Sequence, residues 1–180
     1  VKSSDQVLLA NIQNKRIRLL DEVEIRDQII TPLNNEQLFF SDAILHLFYN
    51  VLIVEAKAGS GKTLLALSGA LKLVRQKHFL KIIYIRNSIE SLDKGEDVGY
   101  LPGLEEKFRI YNHPLMDSLD YIIRRQHKRK RGRKAGDVIV PQLDDSEVTS
   151  RIEQMISNYG IETMWVGEMR GRTLSNAFII

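Results

Sequence analysis

Apolar positions recur along this chain at two different spacings, and the switch between them predicts an α/β fold. Val51-Leu52-Ile53-Val54 is a short, mostly β-branched run of the kind found in a strand buried on both faces of a parallel sheet. Beyond a glycine-rich loop, Leu64, Leu67, Leu71 and Val74 fall on one face of a helix from about Lys62 to Arg75. Lys81 to Arg86 (KIIYIR) is the next strand run. Strand, loop, helix and strand in that order predict a βαβ unit, hence a parallel sheet with a right-handed crossover. Ile161 to Val166 reads as a third strand and Ala177 to Ile180 as a fourth.

Start and stop signals place the other helices. Thr31-Pro32-Leu33 is a break, because proline holds its predecessor extended. Asn34 then suits an N-cap with Gln37 reaching back as in a capping box, ahead of a helix carrying Leu38, Phe39, Ile44, Leu45 and Phe48. Pro114 suits the first turn of a helix with Leu115, Leu119, Ile122 and Ile123 on one face. Ser146 is the expected cap of a helix bearing Val148, Ile152, Met155 and Ile156, which Gly160 ends. Gly95 to Gly103, with Gly99 and Pro102-Gly103, reads as loop. Residues 1–30 mix apolar and charged positions without a clean period and are expected to be an N-terminal segment, a remnant of an upstream region. Residues 31–180 form the expected α/β domain.

Composition narrows the function classes. The chain has 180 residues, 43% of them hydrophobic, which is enough for one packed domain. With no cysteine, disulfides, zinc-thiolate sites and thiol catalysis are excluded. No apolar run approaches the roughly 18 residues of a membrane helix, and Val1 to Asp5 lacks a signal-peptide core, so a cytoplasmic protein without membrane partners is expected. The net charge of +3 hides a local feature. Arg124 to Lys134 (RRQHKRKRGRK) holds eight Lys or Arg and no acid, leaving 18 basic against 23 acidic residues elsewhere. Such a tract suits the phosphate backbone of a nucleic acid, or else a disordered, solvated insertion. It has no interleaved aromatics for base stacking.

The chemistry concentrates in Ala56-Lys57-Ala58-Gly59-Ser60-Gly61-Lys62-Thr63, which matches G-x-x-x-x-G-K-[ST] except for alanine at the first position. Gly59 and Gly61 let the backbone curl so that successive N–H groups face phosphate oxygens. The helix starting near Lys62 adds its positive N-terminal end, Lys62 a charge for the β- and γ-phosphates, and Thr63 a hydroxyl for Mg2+. ATP with Mg2+ is the expected ligand, bound by Lys57, Ala58, Gly59, Ser60, Gly61, Lys62, Thr63 and Leu64. Ala56 puts a Cβ where the pattern has none, which questions whether its dihedrals suit the turn.

Three segments, in order and spacing, resemble the PhoH family of ATPases, akin to superfamily 1 helicase cores. They are AKAGSGKT, then Gly99-Tyr100-Leu101-Pro102-Gly103 with Glu105-Glu106-Lys107, then Arg170-Gly171-Arg172-Thr173-Leu174. The resemblance runs from about Thr31 to Ile180 and implies a RecA-like, helicase-type P-loop domain. It also implies ATP hydrolysis coupled to RNA binding or unwinding, and a ring-like homo-oligomer. Arg86-Asn87 stands where the family has Arg-Pro. The family continues past the strand matching Phe178-Ile179-Ile180 into Asp-Glu-Ala-Gln, so the chain is expected to be a fragment ending before those acids. It should then bind nucleotide but hydrolyse it slowly, since phosphoryl transfer to water needs an acid for Mg2+ and a group to orient the water. Lys62, Thr63 and Arg172 are the candidate catalytic residues.

Other residues have plainer alternatives. Gln37 resembles the helicase Q-motif, whose amide reads adenine, or is only a cap. Arg170 and Arg172 suit phosphate, in this subunit or a neighbour's, or are solvated loop charges. Arg86 lies at the strand end where α/β sheets bind ligands. His46, His78, His113 and His127 lack metal-ligand spacing, and Trp165 is expected in the core. A P-loop kinase using Arg124 to Lys134 as its lid, or a non-hydrolysing nucleotide-binding module, remain the competing functions.

Overall fold

In chain order the elements of the computed structural model are β1 (Ala10–Gln13), β2 (Arg16–Leu19), α1 (Asn35–Leu45), α2 (Lys62–Arg75), β3 (Lys81–Arg86), α3 (His113–Gly132), α4 (Asp145–Tyr159), β4 (Ile161–Trp165), a 3-10 turn (Val166–Met169) and β5 (Ala177–Ile179). The residues described are 9–13, 15–21, 24–25, 28–47, 49–86, 113–132 and 143–180. The second motif of the family resemblance, 99–107, lies outside them, as does Phe48.

β3 is the middle of a three-stranded parallel sheet ordered β4-β3-β5. Ile82 pairs with Ile161 on one side and with Phe178 on the other. Ile82 and Ile83 are wholly buried because helices and neighbouring strands cover both of their faces. α2 sends Leu65, Leu67 and Leu71 into a core shared with Leu115, Leu119 and Ile122 of α3 and Val148 and Ile152 of α4. At Gly69 a Cβ would come within 2.5 Å of Ile44 Cγ2, so a glycine lets α2 approach α1. A second cluster, Leu20, Ile25, Leu38, Ile44, Leu45 and Leu73, ties the N-terminal segment to this pair of helices. Arg18 forms an ion pair with Asp42, which is itself fully buried. No described helix is long and apolar enough to cross a membrane.

Several expectations need correction. Val51 to Val54 belongs to no strand, and Val51 and Ile53 are 77% and 90% exposed. Leu52 and Val54 line a cleft of about 700 Å3 together with Phe178, Ile179 and Ile180. A β-branched run favours extended backbone, but strand membership also requires a partner edge at pairing distance. The aperiodic N-terminal segment contains an antiparallel hairpin, β1 with β2, turned at Lys15 with φ 62°. Trp165 is 47% exposed rather than core, because β4 ends there and the chain turns out through Val166. The tract from Arg124 does not come after the helix begun near Pro114; α3 runs into it as far as Gly132.

α4 is capped by Asp144, not Ser146. Asp144 Oδ1 accepts from Glu147 N at 2.7 Å, and Ser146 Oγ donates to the same oxygen at 2.7 Å. Gly160, in the left-handed region at φ 56°, ends the helix as expected. The Glu147 N–H, then the Ser146 hydroxyl, hold the Asp144 carboxyl below its ordinary range. A depressed folded pKa stabilises the protein above the unfolded value near 3.9, a contribution lost as pH falls through the lower folded value. Asp144→Asn, which keeps a capping oxygen, should therefore lose part of the fall in urea midpoint between pH 7 and pH 3. Equal acid sensitivity in the two proteins would refute that role.

Candidate phosphate-binding site

The loop before α2 has the backbone that its glycines require. Gly59 and Gly61 have φ of 75° and 85°, both left-handed. A Cβ on Gly59 would meet nothing within 4 Å, so glycine is needed there for its dihedrals and not for room. Ala56 is not among the residues with positive φ, so its Cβ is tolerated and the substitution does not disturb the turn. Gly61 is the N-cap of α2 and offers no side-chain cap. The N–H groups of the first turn, which have no partner within a helix, are thus left for a ligand at the positive helix end.

Lys62 folds back over the loop. Its Nζ donates to Ala56 O at 2.6 Å and Lys57 O at 2.8 Å, and lies 3.5 Å from Ser60 Oγ. The ammonium is held inside the ring of backbone that Gly59 and Gly61 shape. Phosphate oxygens would replace those carbonyls with charged acceptors, which bind an ammonium more strongly. Thr63 follows in the first turn of α2, half-buried, and lines the same cleft as Lys62. Leu64 is half-buried and packs against the main core, while Lys57 and Ala58 are exposed.

Gln37 is tied to this loop. Its Nε2 donates to Ser60 O at 3.1 Å, and its Oε1 accepts from Leu33 N at 2.7 Å. Gln37 N donates to Asn34 Oδ1 at 2.9 Å, so Asn34 is the N-cap as expected. The reciprocal contact reaches Leu33 rather than Asn34, and the side-chain amide braces α1 against the phosphate loop. That link across 23 residues had no local signal, since it depends on where α1 docks.

The remaining candidates lie at other places in the fold. Arg86 ends β3, in register with Trp165. Burial pushes the neighbouring Tyr84 phenol up, with the Arg86 charge opposing, so Tyr84 stays protonated at neutral pH. Arg170 and Arg172 are exposed on the turn after the 3-10 segment, around Gly171 at φ 78°, and Arg172 N donates to Met169 O. Arg124, first of the basic tract, is engaged in structure. It donates to Asp120 and Asp145 at 3.0 and 2.9 Å and to Leu143 O at 3.2 Å, joining α3 to the start of α4. Those carboxylates make its guanidinium bind its proton more tightly. No cluster of metal-ligating side chains occurs among the described residues.

Comparison with known proteins bears on this geometry. The family described as "PhoH-like protein" matches residues 29–180. A PhoH-like protein of Mycobacterium leprae is 32% identical over 163 residues, covering 89% of this chain and 38% of that protein. A PhoH-like protein of Bacillus subtilis is 32% identical over 124 residues, or 68% of this chain and 30% of its own length. Protein PhoH2 of Bacillus subtilis is 33% identical over 94 residues, covering 52% of this chain and 21% of that protein. The chain thus spans well under half the length of these curated relatives.

Proposed function

We propose, for a chain that belongs to the PhoH-like family of P-loop ATPases, a RecA-like ATP-binding core that couples ATP hydrolysis to the binding or unwinding of RNA. The observation that carries the ATP half is the loop itself: two glycines in left-handed conformation around an inward-turned Lys62, at the N-terminus of a 14-residue helix. In this reading Lys62 and the N–H groups from Lys57 to Leu64 bind the phosphates. The Thr63 hydroxyl holds Mg2+, which would neutralise phosphate charge. Gln37 sits where its amide can answer the state of the loop through Ser60. Arg172 reaches phosphate, in its own subunit or a neighbour's within a homo-oligomer.

The RNA half rests on α3. With Arg124 occupied by acids, exposed Arg125 and Lys128 are the described members of the tract available to a polyanion. Turnover by this chain is slow in the same proposal, because no Asp or Glu is among the described residues lining the cleft beside Lys62 and Thr63.

The test is ATP hydrolysis with and without single-stranded RNA, with Lys62→Ala as the blank. Phosphate release that RNA stimulates and Lys62→Ala abolishes supports the proposal. Hydrolysis indifferent to RNA removes the RNA coupling. Transfer of phosphate to a metabolite instead would replace this reading with that of a kinase.

A further inference from the structure

Helix α1 is held near both of its ends, and the far hold is a buried ion pair. In its first turn Gln37 grips the phosphate loop through Ser60 O at 3.1 Å. Gln37 Nε2 also stands 3.5 Å from where a Cβ on Gly61 would lie, so the same side chain lies against that glycine. Further along α1, Asp42 is fully buried and meets the guanidinium of Arg18 in β2. Asp42 Oδ1 has no hydrogen-bond partner among the described residues. Taking a carboxylate out of water is costly, so an ion this buried depends heavily on the cation beside it.

The hairpin that supplies Arg18 does not dock by burying apolar side chains of its strands. The register sets Ile12 opposite Ile17 and Asn11 opposite Arg18. Ile12, Ile17 and Leu19 are exposed, whereas Asn11 and Arg18 are half-buried. The two strands thus turn a polar face to the domain and an apolar face to water. Apolar anchoring lies outside the strands, at Leu9, Leu20 and Ile25, which pack with Leu38, Ile44 and Leu45 of α1. A two-stranded hairpin has little stability of its own. Its hold on α1, and the seat of α1 itself, therefore lean on the Arg18–Asp42 pair. A close-packed helix passes strain along its length, and Gln37 lies on the same helix.

We propose that Arg18 is a positioning residue of the nucleotide site. By neutralising Asp42 it sets the seat of α1, and α1, through Gln37, keeps the phosphate loop in the shape that receives phosphate. The N-terminal segment is then a working part of the site and not an appendage to it. This rests on the reading of the loop as an ATP site, but the link from Arg18 to the loop can also be measured without nucleotide.

The experiment compares the parent chain with Arg18→Ala, Arg18→Lys, Gln37→Ala and the double variant Arg18→Ala with Gln37→Ala. Hydrogen–deuterium exchange of residues 56–64 is measured without nucleotide, with α4 as the internal control, and ATP with Mg2+ is then titrated. Circular dichroism verifies folding. If Arg18→Ala does not fold, Arg18→Met combined with Asp42→Asn, which removes both charges together, takes its place throughout. Loop exchange should rise severalfold in Arg18→Ala and in Gln37→Ala while α4 stays unchanged. ATP should bind about two- to tenfold more weakly, the scale of one neutral hydrogen bond. Arg18→Lys keeps the charge beside Asp42 and should recover most of both losses. In the double variant the two effects should not add, because Arg18 acts through Gln37. A loss of thermal stability with loop exchange unchanged overturns the inference, and so do additive effects in the double variant. Failure of the parent chain to bind ATP would remove the ATP reading alone, and loop exchange would still decide whether Arg18 positions the loop.

Discussion

Replacing Lys62 with alanine should lower ATP affinity by one to two orders of magnitude while leaving the fold intact. The ammonium is the charged group folded into the loop, and a hydrogen bond to a charged partner contributes about 1.5–3 kcal/mol, a factor of roughly 10 to 150 in binding. Its present partners, Ala56 O and Lys57 O, belong to the same loop, so no packing between elements depends on it. If this chain or an extended form hydrolyses ATP, the rate should fall further, by about 10²–10³, because positive charge placed against the transferring phosphoryl group acts mainly in the transition state. Titration with ATP and Mg2+ measures the first effect and phosphate release the second. An unchanged affinity, with circular dichroism also unchanged, would remove Lys62 from the site and with it the main support for an ATP-binding loop.

Leu119→Ala should be the most damaging single truncation of the core, lowering stability by about 2–5 kcal/mol. Leu119 is fully buried, in a cluster where α3 meets residues of α2, α4 and the sheet. Removing its isobutyl group forfeits the transfer of that surface from water and leaves a void that close-packed helices fill only in part. Against a total stability of about 5–15 kcal/mol, that loss would unfold a substantial fraction of the chain well below its normal midpoint. Met116→Ala, one turn earlier on α3 and 37% exposed, is the control and should cost much less. Urea denaturation of both variants checks the contrast. Equal losses at the two positions would mean that α3 does not pack on α2 and α4 in the way described.

What could be read from residue order depended on how local the governing interactions are. The bounds of α2, Lys62 to Arg75, follow from leucine spacing and the glycine loop, and the structure has the same bounds. The left-handed Gly59 and Gly61, the Asn34 cap and the Gly160 stop are also set within a few residues. Even here near neighbours compete: Asp144 and Ser146 are both good capping residues, and geometry chose Asp144. The strand run KIIYIR was legible because four consecutive residues, Ile82 to Ile85, are β-branched or aromatic and are bounded by Lys81 and Arg86. Val51 to Val54 has the same character, yet pairs with no described strand.

The sequence by itself determined the phosphate loop, the helix behind it, the α/β alternation and family membership, since each is encoded in short-range spacing. The tertiary structure alone decided that Gln37 braces Ser60, that Arg124 is consumed by Asp120 and Asp145, and that Trp165 faces outward. It also decided that His127 of α3 and Arg151 of α4, 24 residues apart, come within 3.4 Å of each other. A helix closes its hydrogen bonds four residues away, so its pattern is written locally. A strand pairing, an ion pair between helices or a shared cavity depends on partners that only the folded chain brings together.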